Sequence, residues 1–317
     1  MTFADSRAIT AVCRDVGPYF PAHHAPAEPM PRTRFALPIL SHRPRRSVIP
    51  GFRLSLGLAL LYLGLIVLLP IGALLLKAAD VGFERYIAII TSPRTLASFQ
   101  VTLSTAALAA LFNAVYGLAL AWVLVRYEFP GKRLLDAMVD VPFALPTAVA
   151  GLALTALFAK NGWFGAPLAQ WGIQVAYAPA GIVCAMAFTS IPFVVRTVQP
   201  VLEDMEPELE EAGATLGASD LTIFRRIIFP TIFPAFLAGT SLAFARSLGE
   251  FGAVVFIAGN QPFRTEIVAL LTFIRLEEYD YAAAAAIAVT MLGLAFLMLL
   301  IVNAVQAWHQ KFAMGDA

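Results

Sequence analysis

Arg246 and Glu250 stand four residues apart inside an otherwise apolar run that extends from about Ile227 to Ala258. Residues at this spacing share one face of a helix and can form an ion pair. A charge at mid-membrane is costly, so such residues usually face protein or water and find a partner. Other chemistry is sparse. The histidines, His23, His24, His42 and His309, have no HExxH-like spacing, and no metal site is expected. Gly131-Lys132 is followed by Arg133 rather than Ser or Thr, so the chain lacks the GxxxxGK[ST] loop that cradles nucleotide phosphates. Cys13 and Cys184 are too few for a disulfide framework. No catalytic residue and no cofactor are expected.

The second informative stretch is EAGATLGASDLTIFRRIIFP, residues 211–230, where acids, small residues and two arginines interrupt the grease. Upstream, Asp204 to Glu211 reads as a helix start, with Pro207 in the first turn and acids at the positive end of the helix dipole. Gly217 falls where a left-handed residue would end that short helix. Ser219-Asp220 then caps a second helix running into the next apolar segment. The result is a compact helix–Gly–helix elbow over 203–226, too acidic at its tip to lie on anionic lipid and suited to a protein partner. A solvated, well-capped loop is the plainer alternative.

Both features must be positioned by membrane-spanning helices. The 317 residues are 59% hydrophobic and only 14% charged, with mean hydropathy +0.76. Soluble domains carry roughly a quarter charged residues. A net charge of +1 with no clustered basic face argues against nucleic acid as a partner. Segments of about 20 apolar residues cross a bilayer core, and six qualify, at about 54–77, 101–125, 137–159, 178–196, 229–258 and 281–308. With the N-terminus inside, fifteen Lys and Arg fall on the cytoplasmic side against six outside. Both termini are therefore expected in the cytoplasm. Residues 1–50, rich in Pro and Arg, read as a disordered cytoplasmic tail with Met30 as an alternative start, and 51–312 as the membrane domain. Residues 161–175, with Trp163 and Trp171, suit a re-entrant or interfacial piece on the outer side.

Within the third segment, Pro142 and Pro146 free backbone carbonyls that lipid cannot satisfy. A kinked, pore-facing helix and a simple packing kink are both open. Gly249, Gly252 and Gly259, with Ala245 and Ala253, give the fifth segment a small-residue surface suited to close helix approach. Asp140 is expected at the cytoplasmic headgroups. Glu277, Glu278 and Asp280 are a candidate outer docking rim or an ordinary solvated loop.

The spacing of the elbow adds a resemblance. Glu211-Ala212-Gly213, three residues, Gly217, nine residues, Ile227, one residue and Phe229-Pro230 resembles the EAA-type loop of ABC importer permeases, Glu-Ala-Ala-x3-Gly-x9-Ile-x-Leu-Pro. Gly213 replaces the second Ala and Phe229 the Leu. From about residue 47 to 308 the chain is similar to the T-type permease subunits of bacterial sulfate/thiosulfate ABC importers. The stretches that carry this include 122–154, 192–219, FARSLGEFGAVVFIAGN at 244–260, and LEEYDYA at 276–282.

The resemblance implies an all-α, polytopic type I importer permease fold in the bacterial inner membrane. It implies that Glu210, Glu211, Ala212, Gly213 and Gly217 couple to an ATPase. Its implied partners are a related W-type permease, two copies of the ATPase and a periplasmic sulfate-binding protein, with sulfate or thiosulfate as cargo. Arg246 would then either attract the anion within a pore or serve only as an ion-pair partner of Glu250. A molybdate or tungstate permease is the neighbouring alternative, since such permeases carry a block like FARSLGEFGA. An intramembrane enzyme and a stand-alone secondary carrier are remote: no acid pair or Ser–His dyad lies within the spans, and no inverted halves are visible.

Overall fold

The computed structural model describes residues 52–315, so the stretch 1–50 with its tail and alternative start lies outside the described residues. Among these residues the chain is helical, without strands. The first apolar segment comprises α1 (Phe52–Tyr62) and α2 (Leu69–Ala79), joined through one wide turn at Leu63–Leu68. After α3 (Phe83–Ile90) comes α4 (Pro93–Arg126). Ser92 sets its start: the side chain accepts from Thr95 N–H, and Pro93 occupies the first turn, where its missing donor costs nothing. At 1.5 Å per residue, α4 is about 51 Å long, well beyond a bilayer core of about 30 Å.

Next come α5 (Lys132–Val139), α6 (Val141–Ala144), α7 (Thr147–Phe158) and α8 (Gly165–Gln170). The long α9 (Pro179–Glu203) leads to α10 (Pro207–Thr215) and α11 (Asp220–Ile223). A wide turn at Phe224–Ile228 carries α11 into α12 (Phe229–Leu248). The chain ends with α13 (Val254–Ile257), α14 (Val268–Glu277) and α15 (Tyr281–Gly315).

Among the described residues, five helical stretches are long and apolar enough to cross a membrane: Leu54–Ala79, Pro93–Arg126, Pro179–Glu203, Asp220–Leu248 and Tyr281–Gln306. The third expected span, 137–159, is not one helix. It is divided into the end of α5, α6 and α7, with α7 its apolar part. Proline before a helix biases the preceding residue away from the helical region, and Leu145 is accordingly extended, at ψ 133°. The expected kink is thus a full break. The fifth expected span also stops early, since α12 ends at Leu248 and residues 249–253 are irregular before α13.

The core is a three-helix packing of α4, α9 and α12. Small residues let the backbones close. A methyl group on Gly117 of α4 would meet Val194 Cβ at 2.9 Å, and one on Gly239 of α12 would meet Val194 Cα at 3.0 Å. Opposite ends of the bundle are tied separately. At one end Arg126 of α4 pairs with Glu210 of α10. At the other, Arg94 of α4 holds Glu266 by two hydrogen bonds of 2.9 and 2.7 Å, and Arg85 lies 3.6 Å from Asp280. The loops after α4 and α9 therefore share one end, here called the elbow end, and those before α4 and after α13 share the far end.

Candidate functional site

The elbow is the first candidate. α10 begins with Pro207 in its first turn, followed by Glu208 and Glu210. It ends at a left-handed Gly217, φ 79°, with Gly217 N–H bonded to Ala214 O at 2.9 Å and Ala218 N–H to Gly213 O at 3.1 Å. This pair of bonds is the Schellman closure, and it needs a residue that tolerates positive φ. Ser219 precedes α11 as expected, but its hydroxyl pairs with Thr222 Oγ1 at 2.9 Å rather than with the backbone.

The small residues of the motif divide their work. Ala212 and Glu211 are exposed, whereas Gly213 is buried. A methyl group on Gly213 would meet Ile223 Cγ1 and Ile227 Cδ1, each at 3.2 Å. Gly213 thus lets α11 close onto α10 from within. Glu210 is engaged inside the chain as well, through its pair with Arg126, whose guanidinium also stands 5.2 Å over the Trp122 ring. The surface left outward includes acids and, unforeseen from the acidic composition, three leucines: Leu209, Leu216 and Leu221. Leu216, beside Gly217, is 88% exposed. Its place next to the helix-ending glycine was the available signal, because a residue there is carried to the tip.

The second candidate lies where the two broken segments meet. Arg246, in the last turn of α12, reaches Glu250 at 2.6 Å. Their shared face is not that of one continuous helix. Glu250 lies past the helix end, where its other carboxylate oxygen accepts from Ala253 N–H at 3.0 Å. Low helix propensity at Gly249 and Gly252 favours the interruption, and Glu250 supplies an acceptor for a backbone group that it leaves bare. The carboxylate is 1% exposed and Arg246 33%.

The irregular stretch 249–253 rests on the start of α7. A methyl group on Gly151 would stand 2.7 Å from Ala253 Cα, and one on Gly252 would meet the Thr147 side chain. Gly252, one of the glycines read as helix-approach residues, and Gly151, which was not, thus bring the two broken segments together. Pro142 is buried in α6, and Pro146 is exposed at the mouth of the break before α7.

Three polar side chains that the sequence reading passed over complete the neighbourhood. Asn113 of α4, fully buried, donates to Ala187 O at 3.0 Å and to Ser190 Oγ at 2.8 Å. Ser247 of α12, adjacent in sequence to Arg246, donates to the same Ser190 at 3.1 Å. An Asn deep in an uncharged run was the clue, since a buried carboxamide requires partners. Nothing here forms a nucleophile–base pair. Asp140, expected at the headgroups, is held by Arg196 at 2.7 Å near the elbow end. The candidate outer rim is partly self-paired: Glu278 accepts from Arg275 at 2.9 Å and Asp280 Oδ1 caps α15 through Ala283 N–H at 3.1 Å.

Long apolar helices packed around two broken segments, with an elbow between α9 and α12, make this a membrane permease of the type I ABC importer fold. A crystallised bacterial ABC transporter involved in import of the acidic polysaccharide alginate contains a similar chain, with TM-score 0.68 at 15% identity over 81% of this chain and 96% of that one. The chain belongs to the family of binding-protein-dependent transport system inner membrane components, whose pattern matches residues 114–312. It is 54% identical over 270 residues, covering 85% of this chain and 98% of the relative, to the sulfate transport system permease protein CysT of Salmonella typhimurium. The protein of that name from Escherichia coli is 53% identical over the same shares.

Proposed function

We propose that this chain is one of two membrane subunits of an ATP-driven sulfate importer, with its elbow docked on an ATPase in the cytoplasm. The observation that carries the reading is 54% identity along 98% of a relative named as a sulfate transport permease. The broken segment 132–158 serves as the sixth crossing, and both termini face the cytoplasm. A related W-type permease supplies the other half of the pathway, two ATPase copies sit beneath, and a periplasmic binding protein delivers the anion. Thiosulfate is accepted as a second cargo.

Division of labour follows the geometry. Glu211, Ala212, Leu216 and Gly217 form the face presented to the ATPase, while Gly213 and Glu210 hold that face in shape. Arg246 is the cation paired with Glu250 in the second break and remains one-third exposed. It meets the anion there, with Glu250 orienting the guanidinium and limiting its net field. A dianion then binds transiently rather than being trapped, as conduction requires.

Labelled sulfate uptake into vesicles containing the whole complex tests the reading. Uptake should need both ATP and binding protein and should be competed by thiosulfate. Uptake of labelled molybdate with no transport of sulfate would favour the molybdate reading. Orientation is tested separately: Leu216→Cys should react with a membrane-impermeant thiol reagent only from the cytoplasmic face.

A further inference from the structure

One side chain ties the cytoplasmic end of α9 to the first break. The Arg196 guanidinium makes two hydrogen bonds to Asp140, from Nε at 2.9 Å and Nη2 at 2.7 Å. Nη1 donates to Asp136 Oδ1 at 2.6 Å, and Nη2 donates to the Asp136 carbonyl at 2.8 Å. That carbonyl lies in the last turn of α5, where helix carbonyls lack intrahelical partners and a cation is favoured. Asp140 is the residue between α5 and α6. Arg196 therefore grips the hinge itself.

The grip continues along α9 toward the elbow. Arg196 Nη1 also donates to Gln199 Oε1 at 2.8 Å, and Gln199 Nε2 donates to Glu203 Oε1 at 3.0 Å. Glu203 is the last residue of α9, three residues before α10's flanking Glu206. Past the hinge, α6 and α7 lead to Gly151, whose backbone is pressed on Ala253 in the second break. Asp136, Asp140 and Arg196 are each part-exposed, at 40%, 50% and 30%. Ion pairs in such settings contribute modestly to stability, except where a forked, networked geometry fixes position. A lysine in place of Arg196 would keep the charge but could not span two carboxylates and a carbonyl.

We infer that Arg196 is a positioning residue that makes α9 and the α5–α6 hinge move as one body, so that displacement of the elbow reaches the paired breaks. This rests on the importer reading above. The role is separable from mere folding because it sets how much anion moves per nucleotide spent.

The test uses the complete complex in liposomes, with labelled sulfate uptake and ATP hydrolysis measured on the same preparation. Arg196→Lys should still assemble while its ratio of sulfate moved to ATP hydrolysed falls about five-fold, within the range expected of coupling residues. Asp140→Asn should lower the ratio similarly, and Arg196→Asp combined with Asp140→Arg should recover part of it. Should Arg196→Lys fail to assemble, Gln199→Leu decides, since it cuts the tie toward the elbow and leaves the ion pairs in place; its ratio should fall about two-fold. An unchanged ratio, or hydrolysis and uptake falling in proportion, overturns the assignment. A wild-type complex that hydrolyses ATP and moves sulfate while the variants match it overturns this inference alone. A wild-type complex with no binding-protein-dependent hydrolysis overturns the importer reading and this inference together.

Discussion

Glu250 carries two obligations, the ion pair with Arg246 and the Ala253 N–H, in a setting with 1% exposure. Glutamine retains an acceptor for the backbone group and alanine does not. An unmet buried donor costs about 1–3 kcal/mol, and Arg246 would also lose its partner. Glu250→Ala should therefore reduce the amount of protein in membranes, measured by immunoblot, while Glu250→Gln keeps the amount and impairs uptake. Pairing Arg246→Ala with Glu250→Ala should not restore transport, because Ala253 stays unsatisfied. The elbow offers a second contrast. Gly213→Val places a branched side chain against Ile223 and Ile227 and should cost about 1–3 kcal/mol. Gly217→Ala meets nothing within 4 Å and pays only for its left-handed backbone, about 1–2 kcal/mol. Thermal unfolding of the purified subunit should rank Gly213→Val as the less stable of the two.

At the scale of elements, the two breaks govern the core and were only half legible. The prolines marked 142–146 as irregular, yet a kink and a complete break look alike in sequence when the flanking residues are apolar all round. What decided it was Leu145, which precedes Pro146 and is extended there. Gly249 and Gly252 were read as a close-approach surface within one helix, because glycine serves packing and interruption equally well. The elbow was more legible. Its stops depend on local rules, proline at the start of α10 and glycine at its end, and local rules are written in adjacent residues. Pairing across the chain was not: nothing near Arg126, Arg94 or Arg196 in sequence names Glu210, Glu266 or Asp140. A test of the break-on-break contact follows. Gly151→Val has no room against Ala253 and should abolish the monodisperse peak of the purified protein in size-exclusion chromatography.

At the scale of the molecule, polar ties are sorted by depth. Charged pairs brace both ends, whereas the middle is joined by the neutral cluster Asn113, Ser190 and Ser247 and by one ion pair at the breaks. The far end relies on Arg94, since Glu266 is 1% exposed and Thr102 Oγ1 of α4 also accepts from Val268 N–H at 2.9 Å. Arg94→Ala would strand that carboxylate, at a cost of about 3 kcal/mol. The expected outcome is a lowered melting temperature, with Arg94→Ala plus Glu266→Gln recovering part of the loss.

Gly213, turned inward beneath Ile223 and Ile227, lets the elbow close on itself within the chain. On the proposed docking, little entropy is lost to ordering, and affinity comes from a preformed shape. A synthetic peptide spanning 203–219 would be cut off from Arg126, Ile223 and Ile227, so it would sample many shapes in water. Such a peptide should compete for the ATPase far more weakly than the intact subunit, however faithfully it copies the outward residues.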